Sequence, residues 1–347
     1  REILELADYE RAPSVIMDTK KEYMLLLTRN TYKSLDDLNQ DELRLGGLRI
    51  NPNTNTSSTA TYSNNIKVRK VLGSGEPTQV QGLPANAKIS NLTWSPNDMY
   101  VAFTHTTARG LELWVLDVAN AKATKLTENN LNGNLGNPIT WFKDNSNILV
   151  KMMPANRPAL IDAKKDLPTG PIVSTSDGKV SQNRTYQDLL KNKTDEANFE
   201  NITTSELYKV NINGKAELYK PAAMYAGEDF SPDGNYLMLV TIQKPFSYIV
   251  PLNRFPFRTV VCDIKGNEIK VVNETPLTEI MPKGFMAVRK GKRDMDWRAD
   301  KAATLVYAEA LDGGDPANQV EFRDEVFQWD APFTAAPAPL VKTINRY

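Results

Sequence analysis

The sequence predicts an all-β fold, a β-propeller of which about five blade units are present. Three observations lead to this prediction. A short apolar strand follows a small polar turn five times along the chain, a second strand follows each of these strands, and the copies are spaced at similar intervals. A unit that repeats and cannot bury its own faces must stack on its neighbours, as the blades of a propeller do.

The best copies of the first half of a unit contain a Ser-Pro turn. Trp94–Asp98 (WSPND) leads into Met99–Phe103, and Phe230–Gly234 (FSPDG) leads into Tyr236–Val240. Proline at the second turn position, followed by residues that tolerate tight turns, predicts a turn before each strand. Weaker copies of the first half begin at Met17, Trp141 and Trp297.

The second half of each unit is a strand with Asn or Asp near a turn at its end. It recurs at Leu48–Pro52, Leu113–Ala119, Leu207–Gly214, Thr259–Gly266 and Val326–Ala331. The third unit spans about twice the length of the others, so we expect an insertion at about 164–204. Lys164–Val180, within it, is rich in Pro, Gly and Ser.

Two helices are predicted besides the strands. Thr185–Glu200 has the pattern of a polar helix, and Ser34–Leu45 of a shorter helix inside the first unit. We expect Asn51–Asn65 and Ala331–Pro339 to be exposed loops because of their composition. The apolar contacts expected of the two helices are Tyr186, Leu189, Leu190 and Phe199 in the longer one, and Leu35, Leu38 and Leu43 in the shorter one.

The repeat count sets an expectation for the whole domain. Propellers close with four to eight blades, because every blade needs two neighbours. Five units are present, and Tyr347 falls where another first strand would begin. We therefore expect residues 1–347 to form one segment of an incomplete seven- or eight-bladed ring, interrupted by the one helical insertion.

Composition bears on partners and compartment. The 42 basic and 42 acidic residues cancel, so no field favours a nucleic-acid backbone or an anionic membrane, and we expect neither as a partner. The single cysteine, Cys262, excludes an internal disulfide and is predicted to be a packed strand residue. A reducing compartment and a bacterial periplasm both fit this cysteine count.

The chain lacks the usual signatures of catalysis and cofactor binding. No G-x-S-x-G elbow or glycine-rich phosphate loop occurs. The only histidine, His105, is expected to be a surface or strand-edge residue, and Ser176–Lys179 (SDGK) an ordinary turn. With one His and one Cys, structural zinc is excluded. Turn chemistry explains Asp312–Asp315 and Asp294–Asp296, so we predict no metal and no cofactor.

One stretch is chemically unusual. Lys244–Arg258 joins two strands of the fourth unit and combines four aromatic residues, three prolines and two arginines. The guanidinium groups of Arg254 and Arg258 could grip a carboxylate through two parallel hydrogen bonds. The alternative is that both arginines form structural ion pairs between blades.

The chain resembles a known family in several segments. These are Glu2–Asp8, Tyr23–Leu27, Glu42–Pro52, Arg184–Leu190 and Arg254–Pro256. Across nearly its whole length the chain is similar to the N-terminal propeller of prolyl oligopeptidase-family serine peptidases. Within that family it resembles the glutamyl endopeptidase branch of chloroplasts and Bacteroidetes-type bacteria.

The resemblance implies a function that this chain cannot perform alone. Members of the family join the propeller to a C-terminal α/β-hydrolase domain with Ser, Asp and His, and nothing in this chain matches that domain. We therefore expect a non-catalytic portion of a serine endopeptidase that gates the access of peptides. Its expected partners are a peptide substrate and the hydrolase domain of the same parent chain. Arg254 and Arg258 are the candidates for recognising Glu in the substrate, and we expect a periplasmic or otherwise exported location.

Two other functions remain open. A stand-alone propeller could bind a protein or glycan partner through its loops, and a propeller glycosidase would need two positioned carboxylates. Complete blades and a strand that closes the ring would favour the first. The acidic residues lie in turns at repeating positions, which argues against the second.

Overall fold

The computed structural model describes residues 11–162, 165 and 186–347. The chain divides into two compact units, which we call the first unit and the second unit. The first unit comprises Arg1–Leu43, Arg49–Arg157 and Ile202–Ala222, and the second Arg44–Leu48, Pro158–Asn201 and Ala223–Tyr347.

The first unit contains three four-stranded antiparallel sheets, or blades, with strand orders β1-β2-β6-β7, β11-β10-β9-β8 and β12-β13-β14-β15. The first blade and the segment inserted into it contain β1 (Ser14–Met17), β2 (Tyr23–Thr28), helix α1 (Leu35–Leu38), β3 (Leu43–Leu45), β4 (Leu48–Asn51), β5 (Thr56–Ser57), β6 (Asn65–Lys70) and β7 (Thr78–Gln79). The second blade contains β8 (Ile89–Trp94), β9 (Tyr100–Thr107), β10 (Gly110–Asp117) and β11 (Lys122–Lys125). The third contains β12 (Ile139–Trp141), β13 (Asn147–Met152), β14 (Ser205–Asn211) and β15 (Ala216–Ala223).

The second unit contains helix α2 (Lys193–Thr203) and two further blades of the same kind, with strand orders β16-β17-β18-β19 and β20-β21-β22-β23. The fourth blade contains β16 (Tyr225–Phe230), β17 (Tyr236–Ile242), a 3₁₀ turn (Leu252–Arg254), β18 (Phe257–Asp263) and β19 (Glu268–Thr275). The fifth contains β20 (Arg293–Trp297), β21 (Thr304–Ala310), β22 (Asp324–Asp330) and β23 (Ala338–Thr343).

These sheets confirm the predicted all-β blade architecture, and the Ser-Pro turns show why the sequence repeats. The hydroxyl of Ser95 accepts a hydrogen bond from the Tyr100 N–H at 3.0 Å, and Ser231 accepts the same bond from Tyr236 at 3.0 Å. Both serines are buried. A buried hydroxyl that satisfies a backbone donor five residues later fixes the turn between the first and second strand of its blade.

Apolar residues on the blade faces form the cores within each unit. The first and second blades share a core that includes Leu25, Ile66, Val101 and Phe103. The second and third blades share another, and in the second unit Trp297, Trp329 and Phe333 pack between the fourth and fifth blades. Cys262 is a fully buried residue of β18, as predicted.

The strand predicted as the second half of the first sequence repeat, Leu48–Pro52, is wrong. Leu48–Asn51 is β4, which pairs with β5 and not with β2. The strand that pairs with β2 on the side opposite β1 is β6. The cause is local, because Gly46 and Gly47 both adopt positive φ and turn the chain tightly from β3 into β4. Asn51–Asn65 is accordingly not a simple exposed loop, since Thr54, Asn55 and Thr56 within it are buried.

Both helix predictions are wrong at their boundaries. In the first, only Leu35–Leu38 is helical, Leu43–Leu45 is a strand, and the side chains of Leu35 and Leu38 are 84% and 67% exposed. A capping box joins Ser34 and Asp37 over this single turn, and polar residues from Asn39 onward do not extend it.

The second helix begins at Lys193 rather than at Thr185. Asp188 has φ +60°, which a right-handed helix does not allow, and the Asn192 side chain accepts a hydrogen bond from the Asp195 N–H at 2.8 Å, which starts the helix there. Leu190 and Phe199 are buried, as expected of apolar contacts. Ala331–Pro339 is mostly exposed but contains the buried Phe333. Lys164–Val180, apart from Lys165, lies outside the described residues.

The last strand of each blade in chain order, which we call its outer strand, lies at one edge of the sheet and differs from the two central strands. β15, β19 and β23 are exposed along most of their length, β11 has the sequence KATK, and β7 is two residues long. Across 11–162 and 186–347, no helix has the length and apolar character needed to cross a membrane.

Candidate functional site

Aromatic packing and a hydrogen bond fix the segment that contains Arg254 and Arg258. Phe246 and Phe255 stack at 5.4 Å between ring centroids, and Phe199 of α2 meets them edge-on at 5.1 and 5.6 Å. The Ser247 hydroxyl donates to Glu279 at 2.6 Å. These contacts lie within the second unit and hold the segment in one conformation, as the aromatic residues in its sequence suggested.

Arg258 is engaged by carboxylates of its own blade. Its guanidinium forms two parallel bonds with Glu268, at 3.1 and 2.9 Å, and lies 3.9 Å from Glu274. Glu268 is the main cause of the raised pKa of this guanidinium. Arg258 on β18 thus forms a structural ion pair with β19, within one blade and not between blades.

Arg254 is in a different position. Its guanidinium lies over the ring of Tyr186, 5.6 Å from the centroid, and it forms no ion pair with any residue in 11–162 or 186–347. Its backbone carbonyl accepts from the Thr278 N–H at 3.0 Å, which holds the main chain at this point. Of the two sequence-predicted arginines, Arg254 is the one whose charged end is available to a carboxylate.

A cavity of about 850 Å³ lies entirely within the first unit. α1, the segment between β2 and α1, and the end of β9 contribute residues to its wall, and most of the lining residues are polar. Lys88 and Asp37 form an ion pair at 2.5 Å in this wall, and the hydrogen bond from the Lys88 side chain is the main cause of the lowered pKa of Asp37. We call this space the first-unit cavity.

His105 lines the first-unit cavity, and the expectation that it is a surface or strand-edge residue is wrong. It lies in β9, between Ile89 of β8 and Glu112 of β10, and only 7% of its surface is exposed. The Lys88 N–H donates to its Nδ1 at 3.2 Å, which places the proton of the neutral ring on Nε2. Burial lowers the pKa of His105, although the nearby Glu112 acts in the opposite direction.

A buried ion network occupies the fifth blade and the residues after it. Arg346 binds Asp312 through Nη2 at 2.5 Å and Asp324 through Nη1 at 2.7 Å, and Arg323 also binds Asp312, at 2.9 Å. Arg293 bonds to Asp324. Burial acts to raise the pKa of Asp312, but the bonds from Arg346, Gly314 and Arg323 outweigh it and keep that pKa below its ordinary value.

This network accounts for one of the acidic turns noted in the sequence, because Asp312 forms ion pairs with Arg323 and Arg346. In the other turn, Asp294 lies 3.3 Å from Arg293. Within the described part of the chain, no three His, Cys, Asp or Glu side chains are grouped so that they could hold a metal ion. The Ser176–Lys179 turn lies outside that part.

Sequence reasoning missed both the first-unit cavity and the arginine network. Lys88 and Asp37 are 51 positions apart, and Arg346 and Asp312 are 34 apart. No local motif marks either pair, because these residues come together only in the folded chain. A weak signal existed in the paired acids at Asp312 and Asp315.

Two curated plant proteins match the chain, whereas no protein-family model does. The chain is 35% identical over 344 residues to the probable chloroplastic glutamyl endopeptidase of Oryza sativa subsp. japonica, which covers 95% of the chain. It is 32% identical to the probable chloroplastic glutamyl endopeptidase of Arabidopsis thaliana, in an alignment 353 residues long that covers 98% of this chain. The resemblance to glutamyl endopeptidases is confirmed. The chain spans 36% of the length of each of these relatives.

Among solved structures, the chain is similar to the β-propeller domain of the Trilobed protease from Pyrococcus furiosus. The TM-score is 0.40 and the sequence identity 10%, over 93% of this chain and 70% of that one.

Proposed function

We propose that this chain is the non-catalytic propeller portion of a glutamyl endopeptidase-type serine peptidase and that it gates the access of peptides to a hydrolase domain. The observation that carries the proposal is the similarity of 95% of the chain to a probable glutamyl endopeptidase of which it spans 36%. In the parent enzyme a serine would attack the peptide carbonyl, with a histidine as general base. The part described here would supply walls and not reacting groups.

The gating role predicts a dependence on substrate size in the full-length enzyme. A short Glu-containing peptide should be hydrolysed, whereas the same sequence displayed in a loop of a stable folded protein should resist. Heat-unfolding that protein before the assay should restore cleavage, which serves as the control for sequence preference. Equal cleavage of the free peptide and the folded display would refute gating.

Within this role, Arg254 is our proposed recognition residue for a substrate carboxylate. Support comes from its guanidinium, which has only the Tyr186 ring as a described contact, whereas Glu268 occupies that of Arg258. Positioned arginines bind carboxylates bidentately. Of the two arginines predicted from the sequence, we therefore prefer Arg254 as the recognition residue. The exported location remains a prediction.

Arg254→Ala in the full-length enzyme should raise KM for a Glu-containing peptide about tenfold or more, and leave KM for the matched Ala peptide nearly unchanged. Arg258→Ala is the matched control, because it removes an arginine of the same segment that is already paired. Equal losses on both peptides after Arg254→Ala would show that this arginine is structural.

A further inference from the structure

The first-unit cavity has the size and the walls of a binding site that the gating role does not use. Its volume of about 850 Å³ falls within the range of roughly 300–1,000 Å³ typical of ligand pockets. Its lining includes residues of α1, of the segments on both sides of α1, and of the end of β9.

The charges in this wall are unbalanced. Four cationic residues and two carboxylates line the cavity, and Asp37 is already bound to Lys88. Arg29 and Lys33 are exposed and form no ion pair with any described residue. His105 adds no charge, because burial lowers its pKa. The cavity therefore holds an excess of positive charge that an anionic ligand would neutralise.

A second, independent observation points to a ligand. Thr106 is among the residues that line the cavity, and its buried hydroxyl has no hydrogen-bond partner within the described part of the chain, although this residue is only 4% exposed. An unpaired buried hydroxyl costs free energy that a ligand acceptor would recover. A carboxylate oxygen accepts from a hydroxyl and from a cation at the same time, which matches this lining.

We propose that the first-unit cavity binds a peptide segment through an acidic side chain, whose carboxylate accepts from Thr106 and is neutralised by Arg29 and Lys33. The choice of a peptide as ligand rests on the proposed function, whereas the carboxylate chemistry rests on the cavity itself. The cavity is then a second acid-recognising site besides Arg254.

Fluorescence anisotropy on this chain tests the proposal without turnover. Two dye-labelled, C-terminally amidated peptides that differ only in Glu against Gln serve as probes, and a free-acid version of the Gln peptide reports binding through a terminal carboxylate. We expect the Glu peptide to bind about tenfold or more tightly than the amidated Gln peptide, and more weakly as salt rises. Equal binding of these two peptides would overturn the proposal. Tight binding of the free-acid Gln peptide alone would assign the cavity to chain termini and overturn it as well.

Variants locate the binding. Arg29→Gln combined with Lys33→Gln should weaken Glu-peptide binding about tenfold, and Thr106→Val should weaken it while Thr106→Ser retains it. Lys67→Gln is the matched control, because Lys67 is an exposed lysine of β6 that does not line the cavity. An unchanged Kd in the double variant would overturn the site. Melting curves identify any variant that fails to fold, and the exposed Lys33→Gln alone then carries the test.

The two proposals can fail separately. If Arg254→Ala impairs turnover of Glu peptides but the cavity variants bind normally, only this inference is wrong. If the cavity variants lose binding while the full-length enzyme shows no size dependence, the cavity stands and gating fails.

Discussion

Trp141 donates its indole N–H to the main-chain carbonyl of Thr93 at 2.9 Å. This bond joins the first strand of the third blade to the first strand of the second. The same bond recurs in the second unit, where the Trp297 indole donates to the Asp229 carbonyl at 3.0 Å, from the first strand of the fifth blade to that of the fourth. Trp141 and Trp297, which begin two of the repeats in the sequence, therefore connect neighbouring blades in addition to packing in the core.

Trp141→Phe should destabilise the first unit by about 1–3 kcal/mol, because it leaves the Thr93 carbonyl without its donor and removes buried apolar area. Urea unfolding, followed by circular dichroism, measures the change. Trp297→Phe should have a similar effect, and the two losses should add, since the bonds belong to separate units. If the free energy of unfolding changed by less than about 0.5 kcal/mol in both variants, these bonds would not contribute to holding neighbouring blades together.

The stability of the chain should fall on acidification through His105. Burial is the main cause of the lowered folded-state pKa of His105, and the charges of Lys125 and Lys88 act in the same direction. Glu112 and the hydrogen bond from the Lys88 N–H oppose this shift. In the unfolded chain the imidazole takes up a proton at about pH 6.5, and in the folded chain it does so only at lower pH. The stabilisation is thus complete above that value and is lost as pH falls from it through the folded-state pKa.

Urea midpoints at about pH 7.5 and about pH 5.5 check this expectation. His105→Gln removes the titrating ring, so the midpoint of that variant should change less between the two values than that of the parent chain. An identical pH dependence would show that another group is responsible.

The arginine network should be far more sensitive to substitution than the surface pairs. Asp324 is fully buried and bonds to Arg293, Arg346 and the Tyr347 N–H. Asp324→Asn removes the charge that pairs with the buried Arg293 and the half-buried Arg346, which should cost about 3–5 kcal/mol. The control is Asp300→Asn, which removes an exposed partner of Arg298 and should have a much smaller effect on the melting temperature. Equal shifts would contradict the network's role.

The start of α2 should depend on one side chain. Asn192 accepts from the Asp195 N–H, and its own carbonyl accepts from the Glu196 N–H at 3.1 Å, the geometry of a helix N-cap. Asn192→Ala should cost about 0.5–2 kcal/mol, whereas Asn192→Ser should cost less because serine also caps. Hydrogen exchange of the α2 amides measures the local opening, and identical protection in the two variants would argue against the cap.

The sequence predicted what depends on neighbours along the chain. The turns at Ser95 and Ser231 were found because each closes on a residue five positions later. Contacts between residues that are far apart in the sequence could not be predicted. His105 is buried because β8 and β10 flank it, and the charge of Arg258 is bound because Glu268 returns to it on the next strand. A pattern of residue types does not carry that information.

The polar outer strands bear on how the chain behaves at high concentration. The free edge of a sheet offers unpaired N–H and C=O groups to which another molecule can add a strand, which is how aggregates grow. Each outer strand carries a feature that opposes such growth. β7 is short, β11 carries two lysines, β15 and β23 contain Pro221 and Pro339, and irregular pairing interrupts β19 against β18. These five edge strands thus carry features that oppose edge-to-edge polymerisation.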